Sequence, residues 1–108
     1  MVNKYVGFRQ NDLSIIVSVL QEHKEVTEAW IFGSRAKGNF RVGSDVDIAL
    51  KGEYLNAEIV SKISYLLNEE TSLPYKFDIL NYHSISNEDL KQHIDRVGIC
   101  FYPEKVQK

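Results

Sequence analysis

Gly33-Ser34-Arg35-Ala36-Lys37-Gly38, a short loop, and then Ser44-Asp45-Val46-Asp47 form the stretch from which the rest of the chain is best understood. Trp30-Ile31-Phe32 is an apolar run that stops abruptly at Gly33, the pattern of a buried strand delivering a turn. Glycine at that point lets an anion approach the backbone closely, and Ser34 adds a hydroxyl. If Ser34 to Lys37 closes into a helical turn, its free N–H groups face the same anion. Arg35, Lys37 and Arg41 fall in a segment with no acidic residue between Ala29 and Ser44, within a chain of net charge −2. That local asymmetry suits a polyphosphate.

Val46 to Leu50 reads as the next strand, so Asp45 and Asp47 share a face at its beginning. Two carboxylates held so close are unfavourable without a cation. Magnesium takes hard oxygen ligands and is commonly held by one or two carboxylates with substrate phosphates; a pair of such ions serves an in-line phosphoryl displacement. Each half of the pattern has a bland reading, since Gly-Ser with scattered charges is a common surface turn and Asp-x-Asp is often a solvated strand edge. Their combination, each beside an apolar strand, favours a site for a metal-bound nucleoside triphosphate.

Gly33-Ser34, ten intervening residues, and Asp45-Val46-Asp47 resemble the signature of the DNA polymerase beta-like nucleotidyltransferase superfamily. The short chain is similar to its minimal nucleotidyltransferase (MNT) branch, encoded beside HEPN-domain partners. The resemblance implies a palm-like fold and transfer of AMP from ATP, with two magnesium ions, to a hydroxyl on the partner. It further implies that this hydroxyl belongs to a tyrosine of a helical HEPN toxin, which would make the chain an antitoxin. Gly33 and Ser34 would cradle phosphates, Asp45 and Asp47 would bind metal, and Arg35, Lys37 and Arg41 would balance charge.

A third carboxylate follows from the same resemblance. Tyr75 to Leu80 reads as a strand with Phe77 and Ile79 toward the core, which turns Asp78 to the side of Asp45 and Asp47. A lone aspartate on a strand is ordinarily just its polar face. The superfamily has an acidic residue on a neighbouring strand, and Phe77-Asp78-Ile79-Leu80 looks like that element, implying that Asp78 serves the catalytic metal and the incoming hydroxyl.

The 108 residues, 44% hydrophobic and 26% charged, suit one α/β (α+β) domain spanning 1–108. Three amphipathic helices are expected: about Asp12–His23; from an Asn56 cap to Glu69; and from Ser86-Asn87-Glu88-Asp89 to a stop at Gly98. With strands at Val26–Phe32, Asp45–Leu50 and Tyr75–Leu80, and Ile99–Tyr102 as a short last strand or extended tail, they give a small mixed or antiparallel sheet of three to four strands. Helices are expected on one face. The short connection from the first strand to the second favours antiparallel pairing. Met1 to Gln10 reads as a loose lead-in, and the loop flanked by Gly38 and Gly43 as mobile without nucleotide.

The charge balance excludes a general nucleic-acid binder, which needs a broad basic face. The single cysteine, Cys100, excludes an intrachain disulfide and a cysteine-based zinc site; it reads as a small buried hydrophobe. His23, His83 and His93 have no zinc-ligand spacing. No membrane span or signal peptide is evident, which makes the cytoplasm the expected compartment. Tyr54 and Tyr65 are candidates for a partner surface. A chain this short has no evident room for an acceptor-binding domain, so an acceptor supplied by another protein is favoured over a small molecule. A contact-only antitoxin is the alternative to an enzyme.

Overall fold

The computed structural model describes residues 8, 10–38 and 45–103. Arg41, Gly43, Ser44 and the expected loop mobility lie outside these residues, as does most of the expected lead-in. Its elements in order are helix α1 (Gln10–Gln21), strand β1 (Glu28–Phe32), a one-turn helix α2 (Ser34–Lys37), β2 (Val46–Lys51), α3 (Ala57–Glu69), β3 (Phe77–Asn81), a 3-10 turn (Tyr82–Ser84), α4 (Glu88–Val97) and β4 (Ile99–Tyr102).

The strands form one sheet in the order β3-β2-β1-β4. β1 pairs antiparallel with β2 on one side and with β4 on the other, whereas β2 and β3 run parallel. The parallel step is the one made through α3, because only a crossover of helical length returns the chain in the same direction. Ile99–Tyr102 is a strand, completing the edge beside β1.

Strand alternation sends Ile31, Val46, Ile48, Leu50, Phe77 and Ile79 to one face, where they pack with Ile16 and Leu20 of α1 and Ile63 and Leu67 of α3. Each such side chain removed from water contributes roughly 1.5–3 kcal/mol before entropy is counted. Phe32 and Ala49 point to the other face and pack with Ile94 of α4, bordered by Leu80, Tyr82, Ile85 and Leu90. The expectation of helices on one face therefore describes α1 and α3, and α4 corrects it. A stripe of Leu90, Ile94 and Val97 predicts that a helix packs, without stating against which side of a two-sided sheet.

Side-chain caps set the helix starts. Asn56 Oδ1 accepts a hydrogen bond from the Ile59 amide at 2.9 Å, and Asn87 Oδ1 from the Leu90 amide at 3.2 Å, each satisfying a first-turn donor. α1 begins at Gln10, earlier than the helical spacing alone suggests, and Phe8 before it is buried against the edge of Tyr75 with ring centroids 5.2 Å apart. Phe8 is thus a core residue, not part of a loose lead-in. Cys100 is half-buried, its thiol donating to the Tyr102 carbonyl at 3.4 Å. Among the described residues no helix is long and apolar enough to cross a membrane.

Candidate active site

The carboxylates gather where three strand ends meet. Phe32, the last residue of β1, is the register partner of Asp47 on β2, and Asp47 is the register partner of Asp78 on β3. Because β2 and β3 are parallel and in step, Asp47 and Asp78 project from the same face, the one that carries Phe32. Asp45 immediately precedes β2. Asp47 is half-buried, and Asp45 and Asp78 are exposed.

The Asp47 carboxyl is held above its ordinary value, first by burial and then by the negative charges of Asp78 and Asp45. Those three groups are therefore brought together, as strand alternation predicts. Among the described residues, no three acidic, histidine or cysteine side chains are close enough to cage a metal by themselves.

Gly33 turns the chain directly beside this cluster. Its φ of 76° and ψ of −153° lie in a region essentially reserved for glycine. A Cβ added there would collide with Asp47 Oδ2. The residue thus serves two purposes, a backbone conformation and clearance for a carboxylate, whereas the sequence alone suggests only close approach of an anion. Ser34 opens α2, whose N-cap is Gly33 and carries no side-chain cap. The short helical turn considered for Ser34–Lys37 is present, closed by Gly38 in the left-handed conformation at φ 85°. Lys37 is exposed.

Arg35 corrects the expected phosphate-binding set. It is 2% exposed, with its guanidinium carbon 5.0 Å from the Tyr75 ring centroid and 5.5 Å from that of Phe8. Both rings belong to the α1/α3 side of the sheet, opposite the carboxylates. Burial pushes the guanidinium below its ordinary pKa, with Tyr75 acting in the other direction. Tyr75 Oη in turn donates to Asp12 Oδ2 at 2.5 Å, and Asp12 is itself buried. Arg35 fastens α2 to the core. A sequence signal existed: Asp12 is a carboxylate placed inside a helix's apolar stripe.

Asn68 of α3 holds the strand bearing Asp78. Its Oδ1 accepts from the Phe77 amide at 2.8 Å and its Nδ2 donates to the Phe77 carbonyl at 3.1 Å, as a neighbouring strand would. Sequence reading passed over Asn68, because nothing in its spacing links it to β3.

A chain-wide comparison accounts for this geometry. Residues 15–107 match the model of the family described as polymerase beta, nucleotidyltransferase. The chain belongs to that family. The nucleotidyltransferase is 28% identical over 101 residues to the Haemophilus influenzae protein named "Probable protein adenylyltransferase MntA", covering 87% of this chain and 82% of that one. Its fold is similar to a crystal structure of a toxin–antitoxin with AMP-PNP, at TM-score 0.70 and 21% identity over 83% of this chain and 72% of that one. It is similar as well to a Shewanella oneidensis structure of a tri-AMPylated HEPN toxin with an MNT antitoxin, at TM-score 0.67 and 18% identity over 88% and 72% of the two chains. At these identities the structural likeness establishes the fold.

Proposed function

We propose that this nucleotidyltransferase moves AMP from ATP to a tyrosine hydroxyl of a HEPN-domain partner in the cytoplasm, and so acts as that partner's antitoxin. The observation that carries the reading is the in-register pair Asp47 and Asp78 with Asp45 alongside, next to a glycine turn. The names of the similar proteins, an adenylyltransferase and MNT antitoxins paired with HEPN toxins, support the choice of nucleotide and partner.

The donor set fits magnesium. All three groups are carboxylates, and Asp47 is raised first by burial and then by the charges of Asp78 and Asp45; magnesium takes one or two carboxylates with substrate phosphates completing its shell. Asp45 and Asp47 would hold it, with Asp78 as a further ligand of the catalytic ion. Bound there, magnesium supplies charge neutralisation at the phosphate undergoing transfer. Gly33 and Ser34 cradle the distal phosphates through backbone N–H groups and a hydroxyl, and Lys37 and Arg41 offset their charge. Asp78, at the outer strand and solvent-exposed, receives the proton of the acceptor hydroxyl. Pyrophosphate leaves.

A second reading, neutralisation by contact alone, is favoured by the surface of α3 and the turn before it. Tyr54 and Tyr65 are 75% and 55% exposed, and a groove of about 340 Å³ runs beside Tyr65 to Ile79. It lies away from the carboxylates. Pyrophosphate release on mixing the chain with a HEPN partner, ATP and magnesium separates the two: release that disappears in Asp45→Asn/Asp47→Asn supports catalysis, and partner neutralisation without release overturns it.

A further inference from the structure

α4 crosses the sheet between two chemically different ends of one face. At one end lie Lys51 and Tyr82, with the Lys51 ammonium 4.4 Å from the Tyr82 ring centroid. At the other lies Asp47, four residues earlier on β2 and roughly 13 Å away along the strand. The helix shows which flank faces which end. Lys91 lies 5.1 Å over the Tyr82 ring, and Tyr82 Oη donates to Asp95 Oδ1 at 2.7 Å, so the Lys91/Asp95 flank faces the Lys51 end.

His93 is two residues from each of these and, at 100° per residue, lies on the opposite flank. Its ring confirms the direction, meeting the Phe32 ring edge-on at 6.2 Å between centroids. Phe32 is the cross-strand partner of Asp47 and is followed at once by Gly33. Across the sheet the order is Asp78, Asp47, Phe32. His93 is therefore on the glycine-turn side of Asp47, away from Asp78.

From this placement we infer that His93 contacts the bound nucleoside triphosphate from α4, its imidazole N–H donating to a phosphate oxygen or ribose hydroxyl. The inference rests on the adenylyltransferase reading, in which the triphosphate occupies the Gly33–Ser34 side and the acceptor the Asp78 side. It also supplies a second wall to a site otherwise built from strand ends and one turn of helix. With Arg35 turned to the far face, it adds a polar group from an element outside the Gly33–Asp47 stretch.

The test uses AMP-PNP with magnesium as probe, with calorimetric affinity and melting temperature measured for the wild type, His93→Leu, His93→Gln and Lys91→Ala. Leucine keeps packing on Phe32 without a donor, and glutamine keeps a donor. The expected result is about tenfold weaker binding for His93→Leu, within about threefold for His93→Gln, and no change for Lys91→Ala on the other flank, with melting temperatures unaltered. Wild-type-like affinity in His93→Leu overturns the inference, as does equal weakening of both His93 variants with lowered melting temperatures, which marks packing alone. A wild type that fails to bind AMP-PNP refutes the adenylyltransferase reading itself.

Discussion

Gly33 and Asp47 occupy one space: the volume that a Cβ on Gly33 would fill is taken by Asp47 Oδ2. The glycine turn and the carboxylate cluster are thus a single construction, joined by the absence of a side chain. The sheet register makes this possible by pairing Phe32, the residue before the turn, with Asp47.

Gly33→Ala should therefore damage the site more than the fold. The strained backbone costs about 1–3 kcal/mol, a loss that chemical denaturation will measure. Transfer activity should fall far more than that destabilisation explains, because the methyl group displaces the Asp47 carboxylate. Activity retained in proportion to the folded fraction would contradict the shared-space account.

Asp47→Asn should stabilise the metal-free protein at neutral pH while abolishing transfer. The folded-state pKa of Asp47 is raised, chiefly by burial and then by Asp78 and Asp45, so the folded protein binds that proton more tightly than the unfolded chain. Its contribution to stability is fully present below the unfolded value and is lost as pH rises through the folded one. In paired melts with chelator, the variant should exceed wild type at pH 7, and the difference should close below the ordinary value of 3.8. A variant that melts lower at pH 7 would reverse the sign.

Arg35→Ala should behave as a core mutation. Loss of two desolvated contacts with aromatic rings predicts a destabilisation on the order of 2–4 kcal/mol. Nucleotide affinity of the folded fraction should stay near wild type. Urea denaturation beside AMP-PNP titration distinguishes this from a phosphate ligand, whose loss would weaken binding and leave stability intact.

Asn68→Ala removes both hydrogen bonds to Phe77 and leaves the strand's first amide without its side-chain partner. A cost of about 1–3 kcal/mol is expected. Because Asp78 is the next residue, turnover should fall while AMP-PNP affinity, under the proposed placement of the triphosphate beside Gly33, should change little. Equal losses in both measurements would mean that Asn68 supports the whole sheet and not the Asp78 end.

Local chemistry made much of this architecture readable. Alternation on Phe77-Asp78-Ile79 gave the face of Asp78, the family resemblance set it beside Asp45 and Asp47, and the Asn56 and Gly98 signals bounded helices that the structure contains. What stayed hidden depends on contacts distant in sequence. Arg35 in a basic stretch reads as a phosphate partner until Phe8 and Tyr75 enclose it, and the side of the sheet chosen by α4 follows from how β1, β2 and β4 pair. Asn68 and His93 carry no local pattern at all. Their roles arise from which strand end or ring lies opposite.

Intact mass of a HEPN partner incubated with this chain, ATP and magnesium, beside the Asp45→Asn/Asp47→Asn variant, tests the proposed activity most directly. The account predicts a gain of one or more adenylyl units on the partner that the variant does not produce. An unchanged mass despite a stable complex, or the same gain with the double variant, would contradict it.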